Sequence, residues 1–126
     1  MTIFVVDDDE SFRRSVIRLL WAIGYEAREF ASVAELPAET IGSDDCLLVD
    51  HRIAYGKNVL ELLADRKIYA SVVLMSGSDP EDVVSRNGTR PFLIKPFNET
   101  KLRQAIEAVT RAQQTFTPDD RGAIVS

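Results

Sequence analysis

The chain has 126 residues, 45% of them hydrophobic, which suits one globular domain able to bury a single core. Its formal net charge of −5 argues against direct binding of nucleic acid, because phosphate contacts need clustered Lys and Arg. The single cysteine, Cys46, cannot form an internal disulfide, and no apolar run approaches the roughly 20 residues of a membrane span. We therefore expect a soluble, cytoplasmic protein without membrane or nucleic-acid contacts.

The N-terminal segment reads as a strand followed by a helix. A short apolar run at residues 3–6 predicts a buried strand that ends at three acids, Asp7 to Asp9. From Glu10 onward apolar residues recur at helical spacing, and Gly24 predicts a left-handed end to this helix. Three arginines are expected on the solvent side of the helix: Arg13, Arg14 and Arg18. We interpret Asp9 as the helix cap.

The next segment reads as a second strand, a short helix and a third strand. Residues 25–30 are less apolar, which is typical of an edge strand. Ser32 opens a capping-box spacing that predicts a short helix, although Pro37 opposes its continuation. The third strand, at residues 46–49, is fully apolar and ends at Asp50.

The C-terminal half continues the alternation of helices and strands. A helix is predicted from Val59, a fourth strand at 71–75 runs into Ser76, and a short fourth helix is predicted over 79–87. A fifth strand at 92–94 runs into Lys95, and the last, strongly amphipathic helix begins at Asn98. We expect one domain over residues 1–114 and a mobile tail over residues 115–126.

Five strands alternating with five helices predict a three-layer α/β sandwich around a parallel sheet. In such sheets ligands bind beyond the carboxyl ends of the strands, so the four strand tips should share one crevice. Two carboxylates about 4 Å apart repel by about 4 kcal/mol at an effective dielectric of 20, so an acidic cluster there favours a cation. Oxygen ligands favour Mg²⁺, and the metal with a lysine could neutralise a phosphoryl group.

These motifs, taken together, resemble the receiver domain of response regulators in two-component signalling. The matching stretches are Val6-Asp7-Asp8, Asp50, Ser76-Gly77 and Lys95-Pro96-Phe97. The resemblance implies a flavodoxin-like strand order of 2-1-3-4-5 and a stand-alone receiver over nearly the whole chain. It also implies a cis peptide bond between Lys95 and Pro96.

The resemblance further implies a role for each strand tip. Asp50 is expected to accept a phosphoryl group, and Lys95 and Ser76 are expected to contact that group. Mg²⁺ is expected to be held by three groups directly and by one through water: Asp8, Asp50 and the backbone carbonyl of Arg52, with Asp7 through water. Phe92 is expected in the core and also as a switch residue that changes rotamer together with Ser76.

The expected phosphodonor is a histidine kinase or a phosphotransfer protein, and the protein is expected to catalyse only its own phosphorylation and dephosphorylation. The downstream protein partner and a homodimer are left open. Two alternatives remain at this point. In a haloacid dehalogenase-like phosphatase, Asp7 is the nucleophile and Asp9 the general acid; in a receiver-like adaptor, the fold is kept without phosphorylation. His51, beside the acceptor, is interpreted as a loop side chain.

Overall fold

The computed structural model describes residues 1–54, 58–77 and 92–115. The strands are β1 (Thr2–Val6), β2 (Glu26–Phe30), β3 (Cys46–Asp50), β4 (Ser71–Ser76) and β5 (Phe92–Ile94). The α-helices within these ranges are α1 (Glu10–Ala22), α2 (Val59–Asp65) and α3 (Glu99–Thr115). Short 3₁₀ turns cover Val33–Glu35, Ala38–Thr40 and His51–Ala54.

The five strands form one parallel sheet in the order β2-β1-β3-β4-β5, as predicted. The apolar runs of β3 and β4 lie inside the sheet, and both strands are buried along their whole length. Continuous apolar runs are expected for parallel strands that are covered on both faces. At the β1–β3 pair Val6 lies opposite Val49. The residues that follow these two valines therefore leave the sheet at the same edge.

Two hydrophobic clusters lie on opposite faces of the sheet, which confirms the three-layer arrangement. Alternate strand residues point to opposite faces, so each strand contributes to both clusters. On one face α1 and α3 cover the sheet through Val16, Ile17, Leu20, Leu102 and Ile106. On the other face α2 and the first 3₁₀ turn cover it through Val33, Leu36, Val59 and Leu63. Cys46 belongs to the first cluster, where burial raises the pKa of its thiol to about 12.

Helix α1 begins and ends as its sequence predicts. The side chain of Asp9 accepts a hydrogen bond from the Phe12 amide at 3.1 Å, which makes Asp9 the N-cap. After Ala22 the chain turns through Gly24, whose φ of 96° is the left-handed conformation that glycine adopts without a steric penalty. The predicted cis peptide bond between Lys95 and Pro96 is also present.

The prediction of a short helix after Ser32 is wrong. Residues 33–40 form two separate 3₁₀ turns, and Pro37 lies between them, where it removes an amide donor and blocks a continuous helix. Glu35 accepts hydrogen bonds from the Ala31 amide and the Ser32 hydroxyl, so the capping-box residues pair with each other in a turn. The guanidinium of Arg66 donates to the carbonyls of Val33 and Leu36 and ties the first of these turns to the end of α2.

A further correction concerns Arg13, which was expected to face solvent. Its side chain is only 13% exposed and contacts Glu29 on the neighbouring strand, whereas Arg14 is 58% exposed. Helical periodicity places Arg13 outside the apolar stripe, but the end of β2 lies beside that position and supplies a carboxylate.

Parts of the predicted organisation lie outside the residues that the structure describes. The predicted fourth helix at 79–87 lies outside the described residues, as do tail residues 116–126. Helix α3 runs through Thr115, one residue past the predicted domain boundary. Within the described ranges, no helix is long and apolar enough to cross a membrane.

Candidate functional site

The carboxyl edge of the sheet carries the predicted acids. Asp7 follows β1 and is completely buried, and Asp50 ends β3 and is 8% exposed. Because β1 and β3 are neighbours in register, the backbone ladder itself brings these two carboxylates together. Each is also oriented by a nearby amide: Asp7 Oδ1 accepts from the Asp9 amide at 2.9 Å, and Asp50 Oδ1 accepts from the Arg52 amide at 2.9 Å.

Lys95, which follows β5, bridges the two acids. Its Nζ atom lies 2.5 Å from Asp7 Oδ2 and 3.0 Å from Asp50 Oδ2. The lysine reaches this position because its own amide donates to the Ser76 carbonyl at 2.7 Å, which extends the β4–β5 ladder by one step. The tips of β1, β3 and β5 therefore meet as the sequence predicts.

Burial and charge act in opposite directions on this cluster. Burial raises the pKa of Asp7 above its usual value, and the hydrogen bond from Lys95 offsets only part of that increase. Burial on its own would lower the pKa of Lys95, but the hydrogen bonds and negative charges of Asp7 and Asp50 outweigh it, so this pKa is raised. Lys95 is therefore a protonated cation at neutral pH, held between two carboxylates.

The same edge has the geometry of a cation site. Asp7, Asp8 and Asp50 can each place one carboxylate oxygen within 4.8 Å of the others. Asp8 is exposed, so its oxygens face solvent, while the other two acids are buried. An all-oxygen, mostly anionic donor set suits a hard divalent cation that retains some of its water. The residues present therefore fit the metal that the sequence predicts at this edge.

Ser76 and Phe92 lie where they were expected, on adjacent strands. Ser76 is the last residue of β4 and is completely buried next to Lys95. Phe92 begins β5 and packs against the cluster beneath α2, which confirms its core role. Its second role as a switch stays a prediction, and so do the metal contacts of the Arg52 carbonyl.

His51 lies in the turn that connects β3 to α2, but it does not face solvent. It begins the 3₁₀ turn after β3 and is completely buried. The next residue, Arg52, is exposed and directs its amide back to Asp50. The turn therefore buries the histidine, while the Arg52 amide orients the carboxylate at the end of β3.

Two contributors to the site were missed from the sequence. Phe12 lies under Lys95, with its ring centroid 4.3 Å from the Nζ atom, and meets Phe97 edge to face at 5.7 Å. This aromatic contact adds a cation–π attraction to the hydrogen bonds that hold the ammonium group at the site. Arg13 donates to the backbone carbonyl of Asp7 at 2.8 Å. An aromatic residue in the first turn of α1 indicates the first contact only once the start of α1 is known to lie beside the site.

Comparisons with known proteins agree with this architecture. No family model matches the chain. The structure superimposes on a response regulator receiver domain protein from Clostridium thermocellum with a TM-score of 0.74 over 92% of this chain and 98% of that one, at 21% identity. It also matches a response regulator receiver protein from Burkholderia phymatum, at 25% identity and a TM-score of 0.65, over 87% and 94% of the two chains. The chain is a receiver domain of the response-regulator family.

A curated relative supports the same assignment from sequence. Nodulation protein W of Bradyrhizobium diazoefficiens is 32% identical over 114 residues, which is 86% of this chain and 50% of that protein. The receiver domain thus spans about half the length of the curated relatives that it matches. The structure also counts against the phosphatase alternative. In that alternative Asp9 would be a general acid, whereas here its side chain is the N-cap of α1.

Proposed function

We propose that this receiver domain takes a phosphoryl group onto Asp50 from the phosphohistidine of a histidine kinase or phosphotransfer protein. The observation that carries the proposal is the Asp50 carboxylate, which Lys95 contacts at 3.0 Å and which Asp7 and Asp8 flank within 4.8 Å. A cytoplasmic location belongs to the same proposal, which the buried free thiol of Cys46 supports.

The proposed transfer is a displacement at phosphorus. An Asp50 carboxylate oxygen attacks the phosphorus atom, the new O–P bond forms as the P–N bond breaks, and the donor imidazole leaves with the electron pair. Such transfers depend on positioning and on neutralising charge on the phosphoryl oxygens. Asp50 Oδ1 is held by the Arg52 amide, which fixes the orientation of the carboxylate before a donor arrives.

Charge neutralisation is divided between the lysine and a metal. Mg²⁺, when bound by Asp8, Asp50 and the Arg52 carbonyl with Asp7 acting through water, supplies positive charge to the phosphoryl oxygens. Lys95 supplies a second positive charge, and the ring of Phe12 keeps its ammonium group at the site. Ser76, buried at the tip of β4, donates its hydroxyl to a phosphoryl oxygen.

The proposed output follows from the charge that phosphorylation adds. A phosphoryl group carries about −1.5 to −2 charges and three acceptor oxygens, which attract the Ser76 hydroxyl and the Lys95 ammonium. Movement at the end of β4 leaves space next to β5, into which Phe92 rotates. The surface around β5 then changes, and a protein partner or a second copy of the chain binds to the changed surface.

The decisive experiment is transfer of labelled phosphate from a small acyl phosphate donor in the presence of Mg²⁺. We expect base-labile label in the wild type and none in Asp50→Asn, whose amide keeps the volume of the side chain but cannot form an acyl phosphate. Asp65→Asn, an exposed acid on α2, is the matched control and should label like the wild type. Retention of base-labile phosphate by Asp50→Asn would contradict the assignment.

The Asp7→Asn variant separates the alternatives. A receiver labels more slowly without Asp7, because this acid contributes to the metal site but does not accept the phosphoryl group. A phosphatase that uses Asp7 as its nucleophile would lose all label in Asp7→Asn and keep it in Asp50→Asn. A receiver-like adaptor would show no label in any variant, although all of them would melt cooperatively.

A further inference from the structure

The loop that carries the acids is held by an ion pair that the proposed chemistry does not use. Arg13 Nη1 donates to the Asp7 carbonyl at 2.8 Å, while Arg13 Nε contacts Glu29 Oε1 at 2.8 Å. On the other side of the same residue, the Asp7 amide donates to the Phe30 carbonyl at 3.1 Å. The main chain of Asp7 is thus anchored twice to the end of β2, once directly and once through the guanidinium.

The anchor on the Asp7 carbonyl acts beyond Asp7. The peptide bond is planar, so fixing the Asp7 carbonyl also fixes the Asp8 amide and the position of the Asp8 Cα atom, from which the side chain leaves the backbone. Asp8 is the exposed member of the acid cluster, and among the described residues no hydrogen bond or ion pair orients its side chain. Arg13 therefore controls the one acid of the cluster whose position depends mainly on its backbone.

We propose that Arg13, held by Glu29, is a positioning residue that sets Asp8 and Asp7 for cation binding. The inference rests on the proposed function, because it names how the metal site of that function is built. A neighbouring pair provides the comparison: Arg14 lies one residue after Arg13 on α1 and pairs with Glu10, and the two side chains are 58% and 67% exposed. That pair touches no residue of the acid loop in the described contacts, and exposed pairs of this kind contribute little to stability.

Charge and geometry make opposite predictions for Arg13. Replacing either arginine by glutamine removes one positive charge near an acidic cluster, so charge alone would tighten cation binding slightly in both variants. If Arg13 positions the loop, its loss weakens binding instead. The direction of the change in Mg²⁺ affinity therefore distinguishes positioning from a simple electrostatic effect.

The test is calorimetric titration of the full chain with Mg²⁺. We expect Arg13→Gln to weaken binding about tenfold, the equivalent of losing one hydrogen bond to a charged group, and Arg14→Gln to stay within about twofold of the wild type. Glu29→Gln should weaken binding less than Arg13→Gln, and Arg13→Lys should restore part of the affinity through a single contact. Equal or tighter binding by Arg13→Gln, relative to Arg14→Gln, would overturn the proposal, even if Arg13→Gln lowered the melting temperature.

A metal-free measurement keeps this inference separate from the proposed function. Amide hydrogen exchange at Asp7 and Asp9 reports the order of the loop, because both amides are hydrogen-bonded in the structure. We expect about tenfold faster exchange at these amides in Arg13→Gln and unchanged exchange in Arg14→Gln. A wild type that binds no Mg²⁺ would count against the proposed function, whereas unchanged exchange in Arg13→Gln would count against the role of Arg13.

Discussion

The two ends of β3 carry carboxylates that serve different purposes. At the start of the strand, Asp45 accepts hydrogen bonds from the Thr2 amide and the Gly42 amide, each at 2.9 Å. At its end, Asp50 accepts one amide, that of Arg52, and faces a lysine and two more acids. Asp45 is satisfied by the backbone around it, whereas the Asp50 cluster concentrates negative charge that a single ammonium group neutralises only in part.

The difference shows how to separate a folding acid from a binding acid. A carboxylate bonded to backbone amides stabilises the native chain, and its removal leaves donors unsatisfied. Carboxylates crowded together store repulsion that a cation relieves, so their removal can stabilise the empty protein. Opposite responses to substitution are therefore expected at the two ends of one strand.

The largest effect is expected from removing the lysine. Lys95→Met leaves Asp7 and Asp50 facing each other without their shared cation, and breaking a buried ion pair in this way costs about 3–5 kcal/mol. The free energy of unfolding from urea denaturation measures this loss. Arg103→Met, which breaks an exposed pair with Glu99, is the control and should cost about 0.5 kcal/mol or less. Similar losses in the two variants would show that the cluster is not a site of concentrated charge.

A smaller loss is expected at the opposite end of the strand. Asp45→Ala removes the acceptor for two amides that join β1 and the preceding turn to β3, and should cost about 2 kcal/mol. The same denaturation experiment applies, with the exposed Asp44→Ala as the neighbouring control. Because Asp45 lies away from the cluster, Mg²⁺ binding by Asp45→Ala should match that of the wild type. A change in that binding would contradict the division between the two ends.

Added Mg²⁺ should raise the free energy of unfolding through the Asp7, Asp8 and Asp50 cluster and not through Asp45. At a Mg²⁺ concentration ten times the dissociation constant, linkage adds about 1.4 kcal/mol to the free energy of unfolding of the wild type. Asp8→Ala should lose this increment because one anionic ligand is missing, while Asp45→Ala should retain it. Thermal melts with and without Mg²⁺ measure the effect. An equal increment in Asp8→Ala and the wild type would place the cation elsewhere.

The smallest effect is a gain in stability at neutral pH that shrinks as the pH falls. Because the folded protein raises the pKa of Asp7, folding favours its protonated form, so the contribution of this group is full below its unfolded pKa and is lost as pH rises through the folded value. At neutral pH and without metal, the neutral Asp7→Asn variant should therefore melt above the wild type. The difference should shrink as pH falls toward 3.8, the usual value for this group. A difference that grew on acidification would contradict the raised pKa.

Sequence patterns were sufficient where local chemistry determined the structure. The continuous apolar runs of β1 and β3 and the acids that follow them predict both the strands and their convergence, because parallel strands end at one edge. Helices α1 and α3 were predicted from their capping residues and amphipathic spacing, which are also local signals. Asp7, Asp8, Asp50 and Lys95 then meet as expected.

Features that depend on distant partners were not predictable in this way. The first 3₁₀ turn after β2 is held by Arg66, about 30 residues further along the chain, and Pro37 alone indicates only that a helix is disfavoured. The inward orientation of Arg13 requires Glu29 on a strand whose position beside α1 is a property of the fold. The burial of His51 likewise depends on how the turn after β3 packs.

The pairing of Val6 with Val49 has a consequence for how such a chain can diverge. Main-chain hydrogen bonds set the separation of Asp7 and Asp50, and these bonds are indifferent to the side chains on the outer surfaces of α1 and α3. Substitutions on those helix surfaces can therefore accumulate while the separation of the two carboxylates stays unchanged.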